Sequence, residues 1–147
     1  MKKLYFLIFS FLCIANPAFS FTLSNFDTPE SFIVDPEDGS YYVSNINGGP
    51  TDKDGNGYIS KISPNGNIVI QKFIGDKKDE MLLNAPKGLV IVGPNIFVTD
   101  IDAVKAFDKE TGKPSVLVDL SGKNGTVSGT GEGVPKGRVI SKTNVTK

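Results

Sequence analysis

The same pattern of strands and turns occurs twice in this chain of 147 residues, and this internal repeat restricts the fold more than any other feature. Between residues 85 and 120, short apolar and β-branched runs alternate with turns rich in Gly, Pro, Asn and Asp. Runs of this length and spacing are typical of strands in an antiparallel sheet. The same runs occur in the same order between residues 28 and 74, and only the loop lengths differ. The repeat therefore predicts two units that are built on one plan and stacked side by side.

Each copy of the repeat contains four strand-like segments. The corresponding segments are 29–34 and 86–91, 42–45 and 97–100, 59–62 and 104–107, and 69–74 and 116–120. Four short antiparallel strands in this order form one blade of a β-propeller. The sequence therefore predicts an all-β fold, a partial β-propeller with two four-stranded antiparallel blades at residues 28–74 and 85–120 of a domain spanning 21–120. Asn45 and Asp100 end the second segments of the two copies, and we expect them to be turn residues that bond local N–H groups.

The first 20 residues have the features of a secretory signal peptide. Lys2 and Lys3 precede an apolar run from residue 4 to residue 15, and small residues occupy positions 18 and 20. This arrangement predicts a signal helix over residues 1–20 that is cleaved after Ser20. The alternative is an uncleaved membrane anchor, but the run is shorter than the roughly 20 residues that a membrane-spanning helix needs. We therefore expect a secreted or periplasmic protein with no membrane attachment after cleavage.

The composition argues against some functions and leaves others open. Lys and Arg together number 16, as do Asp and Glu, so we expect no nucleic acid as a partner. The chain has no His, which removes the commonest general base and the commonest zinc ligand. Residues 121–147 are rich in Gly and contain no aromatic residue. We expect them to form a disordered tail, because they bury too little apolar surface to offset the entropy cost of ordering.

The first copy has an insertion between its second and third segments, and this insertion resembles the calcium loop of EF-hand proteins. Its first, third and fifth positions are Asp52, Asp54 and Asn56, whose side-chain oxygens would bind the ion. Tyr58 at the seventh position would supply its backbone carbonyl, and Ser60 at the ninth its hydroxyl group or a bound water. The pattern predicts a calcium site at these residues.

Two interpretations of this insertion stay open. Gly57 stands at the sixth position, where an EF-hand loop turns sharply, but Ser63 occupies the twelfth position in place of the bidentate glutamate. The loss of that glutamate predicts a weak site, with a dissociation constant on the order of 10⁻⁴–10⁻³ M. The alternative is a long hairpin loop that is rich in Asp, Asn and Gly because turns favour these residues.

Several phrases in both copies resemble the senescence-marker-protein/gluconolactonase family, the regucalcin-like six-bladed β-propellers. They are Pro-Glu-Ser at 29–31, Tyr-Val-Ser-Asn-Ile-Asn-Gly at 42–48, Leu-Asn-Ala-Pro-Lys-Gly-Leu at 83–89 and Phe-Val-Thr-Asp-Ile-Asp at 97–102. Members of that family hold a divalent metal in the central channel through Glu, Asn and Asp, and several hydrolyse sugar lactones. The resemblance implies that Glu30 is a metal ligand, with Ser31 and Phe32 standing where the family usually has Gly-Pro.

The resemblance covers residues 28–120, which provide two blades of the six. We therefore expect a truncated member of the family that lacks the remaining metal ligands and is inactive by itself. Three functions follow from the sequence: a metal-dependent hydrolase for a sugar lactone-like ligand, a non-catalytic propeller that binds a small molecule or a protein, and a structural unit held by calcium. The first is expected of a complete relative, and the other two are expected of this chain.

Overall fold

The computed structural model describes residues 20–75, 81–122, 126–131 and 140–141, and these residues form strands and loops without any helix. The strands, in chain order, are β1 Pro29–Val34, β2 Tyr41–Asn45, β3 Tyr58–Ile62, β4 Ile68–Ile74, β5 Leu89–Val92, β6 Asn95–Asp100, β7 Ala103–Asp108, β8 Pro114–Asp119, β9 Thr126–Gly131 and β10 Ile140–Ser141. The described part of the chain contains no helix with the length and apolar character of a membrane span. The predicted signal helix lies outside the described residues, apart from Ser20.

The strands form two antiparallel sheets that follow the order of the repeat. The first sheet has the order β1-β2-β3-β4, and the second contains β5-β6-β7-β8 in the same simple succession. The predicted all-β fold with two four-stranded antiparallel units is therefore confirmed. The second sheet then continues through β9 to β10, so its full order is β10-β9-β8-β7-β6-β5.

The two added strands come from the segment that the composition predicts to be disordered. β9 pairs with β8 from Val116 opposite Gly131 to Asp119 opposite Ser128, and β10 pairs with β9. The prediction of a disordered tail does not hold for these two strands. The reason is that a strand on a sheet edge is stabilised by backbone hydrogen bonds, which a segment rich in Gly, Ser and Thr supplies as well as an apolar one. The rest of the tail beyond Gly122 lies outside the described residues.

The two sheets pack face to face around one apolar core. The core residues from both sheets and the linker are Tyr42, Ile59, Ile74, Leu83, Ile96, Val98 and Phe107. Each of these side chains is fully buried, and burial of such a side chain is worth about 1.5–3 kcal/mol. Because members of both sheets form one cluster, neither sheet buries its apolar face alone.

The alternation of side chains along each strand decides which residues enter this core. In β2, Tyr42 and Ser44 point toward the second sheet, whereas Tyr41 and Val43 point away from it. The Tyr42 hydroxyl donates a hydrogen bond to the Lys109 carbonyl at 2.9 Å, and the Ser44 hydroxyl donates to the Lys87 carbonyl at 2.8 Å. These bonds satisfy the two hydroxyl groups, so the contact between the sheets is held by apolar packing and by specific hydrogen bonds together.

Candidate functional site

The structure brings two of the predicted calcium ligands together and keeps the third at a separate turn. The Asn56 side-chain amide donates to the Asp54 carboxylate at 2.6 Å, and the Asn56 backbone N–H donates to the same carboxylate at 3.3 Å. Asp52 instead forms its own turn, where its N–H donates to the Gly49 carbonyl at 3.2 Å. The Oδ1 atom of Asn56 is buried and accepts no hydrogen bond within the described part of the chain. Asp54 and Asn56 therefore form a polar pair with one free acceptor.

The other two predicted ligands lie in β3, where their side chains bind protein groups. The buried Tyr58 donates its hydroxyl hydrogen to the Asp27 carboxylate at 2.8 Å, and burial together with this bond raises the pKa of Tyr58. The Ser60 hydroxyl is also buried, and it donates to the Gln71 carbonyl at 2.6 Å. Ser60 also accepts a hydrogen bond from Asn45. The Ser60 hydroxyl is thus used to join β3 with its neighbours β2 and β4.

Gly57 has a different role from the one that the loop motif predicts. Its φ is not positive, and the left-handed residue at this end of the insertion is Gly55, with a φ of 65°. The Gly57 N–H donates to the Leu83 carbonyl at 3.0 Å, which joins the start of the first unit's third strand to the linker. A Cβ atom at Gly57 would lie 2.3 Å from Pro86 Cδ and 2.6 Å from the Asn84 carbonyl oxygen. Close approach of two backbones therefore requires glycine here.

The insertion as a whole is docked onto the second unit. The Gly55 N–H donates to the Asn84 side chain at 3.0 Å, and Lys87 Nζ donates to the Pro50 carbonyl at 2.9 Å. Lys53 forms an exposed ion pair with Asp102, which raises the pKa of Lys53. These contacts favour the interpretation of the insertion as a long loop whose polar residues hold the two units together.

Glu30, the metal ligand that the family resemblance implies, lies at the exposed start of β1. It lines a cavity of about 390 Å³ on the side of the first sheet that faces away from the second sheet. Among the described residues, the acidic group with spacing suitable for a metal is Asp35, Asp38 and Glu110, and Glu30 does not belong to it. The structure therefore brings Glu30 to an apolar surface, where it stands apart from this acidic group.

Lysine side chains form ion pairs with the acidic group around Asp35. The sequence did not predict these pairs. Asp35 is fully buried, and its carboxylate lies 2.8 Å from Lys109 Nζ. Lys109 also pairs with Glu37, and Asp35 and Glu37 together raise the pKa of Lys109 far above its usual value. Glu110 in turn lies 3.7 Å from Lys61 Nζ. The group works as an ion-pair network between the turn after β1 and the turn after β7, in which Lys109 and Lys61 offset part of the negative charge.

Asn45 and Asp100 are more than turn residues. Asp100 accepts a local hydrogen bond from the Ile101 N–H, as predicted, but it also accepts from the N–H groups of Asn84 and Ala85 at 3.0 and 2.8 Å. Burial opposes ionisation of Asp100, yet the Lys105 ammonium and these N–H groups lower its pKa. Asn45 accepts from the Asp27 N–H at 3.3 Å. The predicted local bond is present at Asp100, and both side chains also hold the segment that leads into the first strand of their own sheet.

An apolar surface with exposed side chains lies around the cavity beside Glu30. We call this surface the outer face of the first sheet, and it consists of Phe32, Val34, Tyr41, Val43 and Ile62. Phe32 is 69% exposed and Val34 is 48% exposed. The chain before β1 crosses one side of this face, where the Phe21 ring stands edge-on to Tyr41 at 5.3 Å. The cavity lies between that segment and the sheet, and β1 remains open.

Comparison of the chain with protein-family models, with curated proteins and with solved structures found no match. The resemblance to the gluconolactonase-like family therefore rests on the quoted residues and stays a prediction.

Proposed function

We propose that the chain is a pair of adjacent β-propeller blades that acts as a non-catalytic protein-binding module. The partner docks an apolar β-sheet onto the outer face of the first sheet. The observation that carries this proposal is the apolar cavity of about 390 Å³ on that face, beside the open side chains of Phe32 and Val34. Exposed apolar surface of this kind is typical of interaction sites, since most soluble proteins cover it.

Three features support the interpretation of the sheets as propeller blades. Each sheet begins with four strands in simple up-and-down order, the sheets pack face to face, and their first strands β1 and β5 contact each other. In a propeller, four-stranded sheets are arranged around a central channel, so neighbouring blades contact each other through their faces and along their innermost strands. A fragment of the gluconolactonase-like family would have this arrangement, in a secreted or periplasmic location if the signal prediction holds.

The placement of the acidic residues supports a binding function over lactone hydrolysis. Metal-assisted hydrolysis needs several oxygen ligands around one ion. Glu30 instead lies beside apolar side chains, and the buried carboxylates of Asp35 and Asp100 are paired with lysines. The acidic residues that the described chain brings together are thus used for structure.

The shape of the outer face supports a protein partner over a small ligand. A small-molecule pocket encloses most of its ligand. Here the cavity opens along β1, and Phe32, which lines it, has 69% of its surface exposed. A second β-sheet covers such a surface well, because two sheets pack through interdigitated apolar side chains about 10 Å apart.

Two measurements on the purified chain test this proposal. We expect the dye 8-anilinonaphthalene-1-sulfonate to bind with increased fluorescence, and we expect Phe32→Asp to remove most of this signal. Leu120→Asp is the matched control, because Leu120 is 47% exposed and lies after β8, outside both sheet faces. Equal dye binding by the wild type and Phe32→Asp would contradict the proposed surface. Gluconolactone hydrolysis that requires a divalent metal and disappears in Glu30→Gln would contradict the absence of catalysis.

Weak calcium binding at the insertion is a second candidate function. The buried Oδ1 atom of Asn56 has no hydrogen-bond donor within the described part of the chain, and it lies beside the Asp54 carboxylate. These two oxygens form part of the predicted loop, and the ion would draw its remaining ligands from backbone carbonyls and water. Titration of calcium into the protein, followed by amide shifts in the insertion, tests this. Identical responses of the wild type and Asp54→Ala would remove the site.

A further inference from the structure

We infer that the partner sheet is the second sheet of another copy of this chain, so that copies associate head to tail. This inference rests on the proposed function, because it names the partner of the same outer face. It depends on a comparison of faces: each sheet has one face in the internal contact and one face outside it, and the repeat relates these faces to one another. On the first sheet the segment that carries Phe21 covers the side of this outside face near Tyr41 and leaves Phe32 and Val34 exposed. We call the outside face of each sheet its free face.

The free face of the first sheet is equivalent to a face that is buried inside this molecule. Its residues Phe32, Val34, Tyr41, Val43 and Ile62 correspond in the repeat to Leu89, Ile91, Ile96, Val98 and Phe107. Those five residues of the second sheet all pack in or against the shared core, under the first sheet. All ten positions are apolar. The free face of the first sheet is therefore built like a face that this chain already covers with a sheet.

The free face of the second sheet shows the complementary relation. We define this face by Val90, Phe97, Thr99 and Ala106, which alternate with the core-facing residues of β5, β6 and β7, and of these Ala106 is itself fully buried. In the repeat they correspond to Ile33, Tyr42, Ser44 and Lys61 of the first sheet, which face the second sheet in the internal contact. Val90 is 53% exposed. The two free faces are thus equivalent to the two halves of one interface that the molecule already contains.

The groups that form one hydrogen bond of the internal contact have equivalents on the two free faces, so the same bond can form between two copies. The Ser44 hydroxyl donates to the Lys87 carbonyl at 2.8 Å across the two sheets, and it lies 3.3 Å from the Ser31 carbonyl of its own sheet. Thr99 is the equivalent of Ser44, and it donates to the equivalent carbonyl, that of Gly88, at the same 3.3 Å. Glu30 is the equivalent of Lys87. Between copies, the Thr99 hydroxyl therefore meets the Glu30 backbone carbonyl.

The internal contact also defines how such an assembly grows. A contact between two different faces is heterologous, so repeated addition closes into a ring or continues as a filament. Closed propellers contain about four to eight sheets around one axis. With two sheets of this kind in each copy, ring closure requires two, three or four copies. The strands β9 and β10 extend the second sheet beyond β8, at the edge opposite β5. They therefore add nothing at the edge where β5 and β6 lie.

Sedimentation velocity of three single variants and the wild type tests the inference. We expect the wild type to form a discrete species of two to four copies as its concentration rises. Phe32→Asp and Val90→Asp each remove one of the two faces, and we expect each to weaken self-association by about 30-fold, as loss of a central interface side chain does. Leu120→Asp is expected to associate like the wild type.

Mixing the two face variants gives the decisive result. Phe32→Asp keeps a free second-sheet face, and Val90→Asp keeps a free first-sheet face, so an equimolar mixture is expected to form a one-to-one dimer and nothing larger. Because unfolded protein cannot regain association on mixing, this result also shows that both variants are folded. Circular dichroism of each variant alone provides an independent check of folding.

The opposite outcomes separate the inference from the function on which it rests. A wild type that stays monomeric at every concentration, with dye binding that still depends on Phe32, overturns the inference and leaves the proposed function standing. Self-association that is weakened by Phe32→Asp and unchanged by Val90→Asp also overturns the inference, because the first sheets would then be pairing with each other. Dye binding that does not depend on Phe32 overturns the proposed function itself.

Discussion

The two sheets place different chemistry at equivalent positions of the repeat. In the first sheet, the Asn45 amide donates to the Ser60 hydroxyl at 3.2 Å, and both residues are buried. In the second sheet, the equivalent pair is Asp100 and Lys105, whose charged groups lie 2.6 Å apart, also buried. In both sheets the residue that ends the second strand accepts an N–H from the segment before the first strand. The fold therefore requires an acceptor at this position, and it tolerates either a neutral pair or an ion pair.

This difference shows that the buried carboxylate of Asp100 serves the structure. A charged pair in an apolar interior is stable only when its hydrogen bonds are complete, since desolvation of the charges is costly. Asp100 meets this condition with bonds from Lys105 and from the Asn84 and Ala85 N–H groups. Lys105 meets it with a second bond, at 2.6 Å, to the Leu82 carbonyl. The same position in the first sheet needs fewer partners because it carries no charge.

The largest effect is expected from Lys105→Met. The substitution keeps most of the side-chain volume but leaves the Asp100 carboxylate buried without its cation. Removal of one partner of a buried ion pair costs about 3–5 kcal/mol, so we expect the free energy of unfolding to fall by that amount. Urea unfolding followed by circular dichroism measures it. A loss no greater than that of the matched variant Ser60→Ala would show that the pair in the second sheet is no more important than the neutral pair.

Gly57→Ala is expected to have the next largest effect. The new methyl group would meet Pro86 Cδ at 2.3 Å and the Asn84 carbonyl oxygen at 2.6 Å, so the two units would have to separate. Overpacking of this kind costs about 1–3 kcal/mol in urea unfolding. Gly88→Ala is the control, because its methyl group would meet only the Thr99 hydroxyl oxygen, at 3.3 Å. Equal losses for the two variants would contradict the role of Gly57 at the contact between the units.

Ser60→Ala is expected to cause a smaller loss. The substitution removes one hydrogen bond to the Gln71 carbonyl and one from Asn45, both without charge. A neutral hydrogen bond contributes about 0.5–1.5 kcal/mol to stability, so we expect a decrease of about this size in the same urea experiment. An effect as large as that of Lys105→Met would show that the two positions differ less than their chemistry suggests.

The smallest expected effect is a difference in acid sensitivity. The pKa of Asp100 is lower in the folded protein than in the unfolded chain, where it is about 3.9. The stability that Asp100 contributes is thus complete above its unfolded pKa and is lost as the pH falls through its folded pKa. We expect the double variant Asp100→Asn with Lys105→Ser, which copies the first sheet's pair, to lose less stability between pH 5 and pH 2 than the wild type. Parallel acid profiles of the two proteins would contradict this assignment.

The sequence predicted those parts of the fold that depend on local pattern. Alternation along segments such as 42–45 and the turns between them predicted the strands of both sheets and their order, because these signals lie within a few residues of each other. The sequence did not predict the pairing of Lys109 with Glu37, which are 72 residues apart. Nothing local indicates such a pair, since each residue is by itself an ordinary charged turn residue.

The candidate site was less predictable than the fold, for two physical reasons. The spacing of Asp52, Asp54 and Asn56 predicted a common ion, but Asp52 belongs to a separate turn whose geometry the spacing does not define. Gly57 fitted the motif, yet it is required by Pro86, a contact that appears only once the two units are packed. The apolar face around Phe32 was readable in principle, since the repeat equates it with the buried Leu89. The comparison can be made only when it is known which face of each unit is buried.

Hydrogen exchange of the wild type at low and high protein concentration tests the docking of sheet on sheet most directly. We expect segments of β1 and β5 to gain protection together as the concentration rises, because the two free faces cover each other, while the edge strand β4 changes little. Protection of β1 without β5, or no change in either strand while the sedimentation of the protein shows larger species, would contradict it.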